Sequence, residues 1–399
     1  MAVPELITSQ AELDSLCRQW RAAGRFAFDT EFIRDDTYDA ALCLVQVADG
    51  QEVSLIDPTS GLDLAEFWEL VCDPAILTIV HAGKEDFDLC LRIAGKPPRN
   101  VFDVQIAAGF VGLPYPMSLV RLVDHVLGKR LKKEQTLTDW LRRPLTNEQL
   151  TYAVDDVRHL PALHAKLSHR LGQQVRTEWA REEFARFEDP QHYRPPPQER
   201  AYRIKGATRL DPLGLAVLEG LIEWRDNWAR EKNRPTRALI RDDVLCEIAR
   251  RRPTQTSDLA VLRGFPQSRN PRILADVLRV IESARAIPPS ELPAAVPLRD
   301  ESPMEKATLD LVSAAMRGIC FEEGVSQELV GSASRLRELL DSAREPGTAE
   351  QRPALLSGWR HDFIGRHLLA LLDGRAQLHF SGWPGNPRIE IVAPGERAG

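Results

Sequence analysis

The sequence contains no long hydrophobic run, and no stretch approaches the ~18 apolar residues that a membrane-spanning helix needs. Its N-terminal stretch includes Pro4 and Glu5 but has neither a basic region nor a long apolar segment, so no signal peptide is expected. The 6 cysteines are scattered and none forms a C-x-x-C pair, which argues against a zinc ribbon and a disulfide framework. This cysteine usage predicts a reducing compartment, the cytoplasm.

A net positive charge is also absent: the net charge is −6 at pH 7, which gives no support to nucleic-acid binding. The charge is unevenly distributed, however, since residues 191–288 hold about 19 Lys and Arg against about 12 Asp and Glu. This surplus of about +7 leaves about −13 on the rest of the chain. Such an asymmetry is compatible with a metal-binding enzyme tethered to a phosphate-binding module.

A chain of 399 residues is too long for one compact core, so two or three domains are expected. A hydrophobic content of 43% and a charged content of 28% are typical of a soluble globular protein. Two proline-rich stretches, 191–212 and 291–303, are interpreted as linkers, and the first is expected to be stiff and extended. The predicted domains therefore span residues 1–190, 213–290 and 304–399.

The hydrophobic pattern predicts an α/β fold for the first domain and helices for most of the remainder. Strands are predicted over 26–32, 42–47, 52–56, 77–80 and 100–103, and helices over 11–23, 84–93, 147–171 and 173–187. A three-stranded meander followed by strands that alternate with helices predicts a mixed sheet covered on both faces. Near the C-terminus, residues 377–380 and 388–392 are strand-like.

Asp29 and Glu31 end the first long apolar strand of the sequence. Residues i and i+2 of a strand point to one face, so both carboxylates are expected to project together while Thr30 turns away. Adjacent carboxylates repel and raise each other's pKa unless a cation lies between them. An Asp-x-Glu pair is equally typical of a solvated strand end, so further acids are needed to identify a site.

Two later segments supply such acids. Asp86 lies at the start of a predicted helix that follows a buried strand, where it either faces Asp29 or only complements the helix dipole. Tyr152 and Asp156 are spaced i and i+4, so they share one face of their helix. That spacing is also typical of an amphipathic surface helix with a tyrosine in its core-facing seam.

Together these segments resemble the ribonuclease D family. The resemblance lies in four ordered motifs: Asp29-Thr30-Glu31-Phe32, His81-Ala82-Gly83-Lys84-Glu85-Asp86, Thr138-Asp139-Trp140-Leu141-Arg142-Arg143-Pro144-Leu145 and Tyr152-Ala153-Val154-Asp155-Asp156-Val157. Residues 221–235 resemble the helical HRDC domain that this family shares with RecQ-type helicases, and 355–360 resemble a segment at the family's C-terminal end. The resemblance implies an RNase H-like α/β exonuclease domain, followed by an HRDC-like domain and a second, divergent HRDC-like domain with a C-terminal extension.

By this resemblance, Asp29, Glu31, Asp86 and Asp156 bind metal, and Tyr152 positions the attacking water. Oxygen-only ligands suit Mg²⁺ or Mn²⁺, and two such ions about 3.5–4 Å apart would clamp a scissile phosphate. Asp29 is expected to bridge both ions, and Glu31 to hold the terminal 3′-hydroxyl. Because a neutral tyrosine with a pKa near 10 is a poor base at pH 7, Tyr152 is assigned orientation.

Candidate substrate contacts are Thr30, Phe32, His81, Arg225 and Lys232. Phe32 either stacks on a terminal base or belongs to the core, and His81 either touches substrate or is a hydrogen-bonded structural residue. His159 is expected to be a partly buried helix residue rather than a base. The i, i+4 spacing of two tryptophans makes them core residues of the middle domain, and its arginines are the expected phosphate contacts.

The sequence therefore predicts a 3′→5′ exoribonuclease that releases nucleoside 5′-monophosphates. The resemblance implies RNA with a free 3′ end as partner, transfer-RNA precursors foremost, and a monomeric protein. One alternative is a DNA exonuclease of the same superfamily, since nothing in these motifs reads the 2′-hydroxyl. A second alternative is a catalytically silent nucleic-acid-binding protein.

Overall fold

The computed structural model describes residues 4–34, 37–131, 139–262, 264–265, 270–295, 302–344 and 352–393. Thr138 of the third motif, six residues of the second proline-rich stretch (296–301) and the end of the C-terminal extension lie outside these residues. The chain divides into two compact units, one formed by Met1–Glu31, Cys43–Pro190 and Glu301–Gly399, and the other by Phe32–Leu42 and Gln191–Asp300. Among the described residues, none of the helices combines the length and apolar character needed to cross a bilayer.

A six-stranded mixed sheet forms the centre of the first unit. Its strands, in chain order, are β1 Leu6–Ile7, β2 Arg25–Ile33, β3 Ala41–Ala48, β4 Val53–Ile56, β5 Leu77–Val80 and β6 Val101–Asp103. The spatial order is β1-β4-β3-β2-β5-β6. β3 pairs antiparallel with β4, whereas β1–β4, β2–β5 and β5–β6 are parallel. The predicted mixed α/β sheet is therefore confirmed, and β1 is an additional strand.

Eight helices accompany this sheet in the described part of the first 190 residues: α1 Gln10–Ala23, α2 Ala65–Val71, α3 Lys84–Ala94, α4 Val104–Phe110, α5 Leu119–Leu127, α6 Asn147–Arg158, α7 Leu160–Gln173 and α8 Thr177–Ala185. α1 ends, as predicted, at Gly24, whose left-handed φ of 66° favours glycine. The single helix predicted over 147–171 is wrong, because the chain breaks at His159 between α6 and α7. Pro161 explains the break, since it lacks the N–H that a continuous helix would need there.

Aromatic packing fixes β2 in the centre of the sheet. Phe26, Ala27 and Phe28 are all buried, so both faces of the strand are covered. The Phe28 ring lies 5.7 Å from that of Phe67 and 6.3 Å from that of Trp68, measured between centroids, and both partners belong to α2. The strand therefore emerges from a rigid core immediately before Asp29.

The second unit is a helical domain with its own core. Its helices are α9 Pro197–Arg203, α10 Pro212–Glu231, α11 Thr236–Leu239, α12 Asp242–Arg251, α13 Thr256–Ala260 and α14 Pro271–Arg285. Trp224 and Trp228 pack against this core as expected. The extended linker predicted over 191–212 is wrong, because α9 and a 3-10 turn at Ala207–Arg209 occupy much of it. Ala201, Ile204, Ala207 and Leu210 are buried in the helical core, and this packing outweighs the local proline signal.

The remaining described part of the first unit follows residue 301. It contains α15 Pro303–Glu323, α16 Gln327–Val330, α17 Ala333–Arg344, α18 Gly358–Arg360, a π-helical turn His361–Gly365, and α19 Arg366–Leu372. Strands β7 Gln377–Ser381 and β8 Arg388–Val392 form an antiparallel hairpin, which confirms the two strand-like runs. At Gly318 of α15, a Cβ atom would lie 2.5 Å from the Cβ of Ile389, so only glycine permits the hairpin to approach this closely.

A buried ion pair connects this C-terminal region to α8. Arg360 Nη1 donates to Glu183 Oε1 at 2.5 Å, and both side chains are more than 90% buried. The Trp359 indole N–H donates to the same oxygen at 2.9 Å. Burial alone would raise the pKa of Glu183, but hydrogen bonds and the charge of Arg360 hold it below its ordinary value. Glu183 is therefore ionised in the folded protein at neutral pH.

We expect Glu183→Gln to lower the free energy of unfolding by about 3–5 kcal/mol, because it leaves the Arg360 charge buried without its counter-ion. Glu178→Gln is the matched control, since Glu178 pairs with Arg181 on the exposed surface of the same helix. Its loss should stay below about 1 kcal/mol. Urea unfolding monitored by tryptophan fluorescence measures both.

The same pair gives a pH dependence with a defined sign. A carboxyl whose folded pKa is depressed stabilises the protein above its unfolded pKa, which is 4.5 for glutamate. The Glu183 contribution should therefore be complete at neutral pH and disappear as the pH falls below about 4.5. Equal wild-type and Glu183→Gln unfolding midpoints at neutral pH would contradict this account.

Candidate active site

Three carboxylates from β2 and α6 form the centre of the site. Asp29, Glu31 and Asp156 each present a carboxylate oxygen, and these oxygens all lie within 4.8 Å of one another. Asp29 and Glu31 share one face of β2, as the strand alternation predicts. All three side chains are half-buried. Carboxylates separated by more than a hundred positions in the chain therefore meet at one point.

Asp86 joins this group from the first turn of α3. It is 6% exposed, and its negative charge contributes to the raised pKa of Asp29. β5, which leads into α3, is the neighbour of β2 in the sheet. The structure thus brings Asp86 to the β2 acids, as its place after a buried strand suggested.

Thr30 has a role that the sequence analysis did not anticipate. Its side chain is buried, and its hydroxyl donates a hydrogen bond to Asp86 Oδ1. The Thr30 hydroxyl therefore orients one of the acids, and its predicted contact with substrate stays a prediction. The sequence feature that could have indicated this role is a polar residue between Asp29 and Glu31 on a strand that is otherwise largely apolar.

Three of the four acids bind protons more tightly than an ordinary carboxylate does. Burial is the largest cause of the raised pKa of Asp29, followed by the charges of Asp86, Asp156 and Glu31. Burial and the charges of Asp156 and Asp86 raise the pKa of Glu31 to about 8. The pKa of Asp86 is raised to about 6, chiefly by burial and against the hydrogen bond from Thr30. Such a group needs protons or cations to exist at neutral pH.

Tyr152 lies one turn before Asp156 on α6, and its phenol lies close enough to Asp156, Glu31 and Asp29 for their charges to affect its pKa. Burial first, and then the surrounding carboxylates, raise the pKa of Tyr152 above its ordinary value of 10. The phenol is therefore neutral at pH 7 and acts as a hydrogen-bonding group. α6 begins with a capping box in which the side chains of Thr146 and Gln149 each accept from the other's backbone N–H.

His81 and Asp103 shape the turn between β5 and α3. His81 Nε2 lies 2.9 Å from the Met117 carbonyl oxygen, so a structural partner is present and contact with substrate stays a prediction. Asp103 accepts hydrogen bonds from the backbone N–H groups of Ala82 and Gly83, at 3.2 Å each. Ala82 adopts a left-handed φ of 57°, which these bonds to Asp103 stabilise.

Two further candidates near the motifs have defined surroundings. Phe32 is half-buried, and the Arg34 guanidinium carbon lies 4.8 Å from its ring centroid, so stacking on a base remains a prediction. His159 is 6% exposed, and burial and the adjacent Arg158 charge lower its pKa. His159 is buried and lies at the break between α6 and α7, whereas the sequence predicted a partly buried residue within a helix.

In the helical unit the structure corrects the expectation for Arg225. Its side chain is buried, Nη1 donates to the Ile240 carbonyl at 2.8 Å, and Asp242 forms an ion pair with it at 2.7 Å. Arg225 therefore holds α10 to the start of α12 and presents no guanidinium to a phosphate. Lys232 is exposed and forms a surface ion pair with Glu231 at 2.7 Å, so it stays a candidate contact.

Arg143 is a residue to which the sequence analysis assigned no role. Its guanidinium forms an ion pair with Asp57 at 2.6 Å and donates to backbone carbonyls on both sides. The sequence feature that could have drawn attention to Arg143 is its position in the third motif, nine residues before Tyr152. Sequence spacing alone does not identify Asp57 as its partner, because the two residues are 86 positions apart.

Comparisons with known proteins agree across nearly the whole chain. Residues 4–172 match the 3′-5′ exonuclease family, residues 214–281 match the HRDC domain, and residues 303–368 match the C-terminal HRDC domain of ribonuclease D. The first match contains all four acids and Tyr152. The exonuclease family is metal-dependent, which agrees with the carboxylate group.

Full-length relatives carry the same name. Ribonuclease D of Pseudomonas paraeruginosa is 36% identical over 94% of this chain and 99% of its own length, and that of Granulibacter bethesdensis is 34% identical over 98% and 97%. The crystal structure of Escherichia coli RNase D superposes with a TM-score of 0.80 at 30% identity, covering 94% of this chain and all of that one. The chain belongs to the ribonuclease D family and is a 3′→5′ exoribonuclease.

Proposed function

We propose that Asp29, Glu31, Asp86 and Asp156 bind two divalent ions, Mg²⁺ or Mn²⁺, and that Tyr152 orients the water that attacks the terminal phosphodiester. The observation that carries this proposal is the meeting of three carboxylates within 4.8 Å, one turn of helix from a neutral tyrosine. The product is then a nucleoside 5′-monophosphate, and the shortened RNA keeps a free 3′-hydroxyl.

The donor set fits a hard divalent cation. It contains only carboxylate oxygens, which suit Mg²⁺ and Mn²⁺ rather than softer ions. Burial first, and then repulsion from neighbouring carboxylates, raise the pKa values of Asp29 and Glu31, and positive charge at the site would relieve both effects. When bound, such ions lower the pKa of the attacking water and stabilise the charge on the scissile phosphate and the leaving oxygen.

The protein's own groups then provide orientation. Thr30 holds Asp86 through its hydroxyl. The Tyr152 phenol lies beside the carboxylates of Asp156 and Glu31, and in this proposal its hydroxyl hydrogen-bonds the attacking water. Glu31 accepts a hydrogen bond from the terminal 3′-hydroxyl in this proposal, which accounts for a requirement for a free 3′ end. Tyr152 takes no proton, because its own pKa is raised further above neutrality.

The substrate that we propose is structured RNA with a short unpaired 3′ end, transfer-RNA precursors foremost. The Escherichia coli relative is described as an exoribonuclease involved in structured RNA processing. The exposed basic residues at the end of α10 and beyond it, Arg230, Lys232, Arg234 and Arg237, support a sequence-independent phosphate contact in the helical unit. We also propose that the protein is a monomer and lies in the cytoplasm, in line with the family resemblance and the cysteine usage of the sequence.

We expect Mg²⁺- or Mn²⁺-dependent release of 5′-mononucleotides from a 5′-labelled RNA hairpin with an unpaired 3′ tail. Asp156→Asn should lower the rate at least about a hundredfold, because it removes a charge that stabilises the transition state through bound ions. Asp155→Asn is the matched control, since Asp155 pairs with Arg158 outside the carboxylate group.

A matched DNA hairpin separates the alternatives in the same assay. Faster degradation of DNA than of RNA would favour a DNA exonuclease, and binding of RNA without product at any divalent concentration would favour a silent binding protein. Equal rates for Asp156→Asn and Asp155→Asn would refute the assignment of the acids.

Tyr152→Phe should lower kcat about a hundredfold while the affinity for Mg²⁺ is unchanged. The substitution removes only the hydroxyl, so the ring stays packed and the water loses its orientation. Single-turnover kinetics measure the rate, and isothermal titration with Mg²⁺ alone measures ion binding. A matching loss of Mg²⁺ affinity would instead assign Tyr152 a role in holding the acids.

Removal of divalent ions should make stability depend on pH with a defined sign. The pKa of Glu31 rises from 4.5 to about 8, so in this interval the folded protein holds a proton that the unfolded chain has lost. The stability of the metal-free protein should therefore fall as pH rises from about 5 to about 8, and Mg²⁺ should restore it increasingly over the same range. Thermal unfolding in EDTA and in MgCl₂ tests this, and Glu31→Gln should flatten the slope in EDTA.

A further inference from the structure

We infer that Arg143 is a positioning residue for the reaction: it fixes Trp140, and Trp140 in turn holds the ring of Tyr152. This inference rests on the proposed function of Tyr152. The observation behind it is that all three guanidinium nitrogens of Arg143 donate hydrogen bonds, to partners on β3, directly after β4 and on its own segment.

Asp57, the ion-pair partner of Arg143, is itself held in place by hydrogen bonds. It follows β4, is 4% exposed, and accepts from the Thr59 backbone N–H at 3.0 Å and from the Thr59 hydroxyl at 2.6 Å. Arg143 Nε donates to Asp57 Oδ2 at 2.7 Å and Nη2 donates to Oδ1 at 2.6 Å. This fork-on-fork pair fixes the plane of the guanidinium as well as its position.

The same guanidinium also donates hydrogen bonds to backbone carbonyls of two different segments. Nη2 donates to the Cys43 carbonyl of β3 at 2.8 Å, and Nη1 donates to the Trp140 carbonyl at 2.7 Å. Trp140 is thereby connected to β3 and to the residue that follows β4 through one side chain. Trp140 is 8% exposed, so it is buried in the protein.

Trp140 is in contact with the residue that we assign to water orientation. The centroids of the Trp140 and Tyr152 rings are 6.1 Å apart, with the rings inclined at 40°. Helix α6 places Tyr152 one turn from Asp156, and Trp140 packs against the Tyr152 ring. A shift of Trp140 would free the phenol to rotate, and reacting groups displaced by about 1 Å lose up to about a hundredfold in rate.

Lysine is not equivalent to arginine at this position. Its ammonium is a point charge that cannot make the paired bonds to Asp57 and reach two carbonyls in fixed directions. The segment has other attachments, because Gln149 Nε2 donates to the Asp139 carbonyl at 3.3 Å and the capping box of α6 is independent of Arg143. Arg143→Lys is therefore expected to fold and to loosen Trp140.

The test compares Arg143→Lys with Arg142→Lys, the adjacent exposed arginine, as matched control. We expect Arg143→Lys to lower kcat on the tailed RNA hairpin between about tenfold and a hundredfold. KM for this RNA and the dissociation constant for Mg²⁺ alone should not change, since neither the acids nor the phosphate contacts are altered. Arg142→Lys should match the wild type.

A double-mutant cycle decides whether Arg143 acts through Tyr152. In the Tyr152→Phe background, Arg143→Lys should have no further effect on kcat, because the oriented hydroxyl is already absent. Equal fold-losses in both backgrounds, or a wild-type kcat for Arg143→Lys, would overturn the inference while Tyr152 kept its role. A wild-type kcat for Tyr152→Phe alone would refute the proposed function of Tyr152 and the inference with it.

Trp140→Leu provides a second route that leaves the Asp57 pair intact. It should reproduce the loss in kcat, the unchanged KM and the absence of a further effect in the Tyr152→Phe background. If Arg143→Lys fails to fold, this variant carries the test. Full activity of a folded Trp140→Leu protein would overturn the inference.

Discussion

Repulsion among four carboxylates is the constraint on which the candidate active site depends. Asp29, Glu31 and Asp156 present oxygens within 4.8 Å of one another, and the charge of Asp86 contributes to the raised pKa of Asp29. A folded chain keeps such a group only because a rigid framework holds it and because protons or cations reduce its charge. The site is therefore a place where stability is reduced so that function is possible, and the surrounding structure must be stable enough to tolerate it.

That framework has a clear physical basis. β2 runs through an aromatic core, so its last fully buried aromatic residue, Phe28, fixes the position of Asp29 beside it. Thr30 orients Asp86, and the capped start of α6 fixes the turn that carries Tyr152 and Asp156. Each acid is thus placed by an element whose own stability comes from packing or capping and not from the site.

Much of the fold follows from local sequence signals, because its strands are apolar runs and several of its helices end at glycine or begin at caps. The carboxylate pair on β2 and the tyrosine one turn before Asp156 were equally visible, since side-chain period is a property of the element alone. The extended linker predicted over 191–212 is wrong at residues 197–210, because packing outweighs the local signal there. Their prolines indicate an extended chain locally, but burial of Ala201, Ile204 and Leu210 in a helical core decides the outcome.

Sequence was therefore sufficient to predict the mixed α/β sheet and the family, and it singled out the carboxylates that the structure brings together. Only the tertiary structure decided that Arg225 is buried against Ile240 and Asp242, that the Thr30 hydroxyl serves Asp86, and that Arg143 finds its partner 86 positions away. The reason is physical. The type of a secondary-structure element, and the face to which each of its side chains points, depend on neighbours within a few residues. The partner of a side chain depends instead on how distant elements pack, and no local pattern encodes that packing.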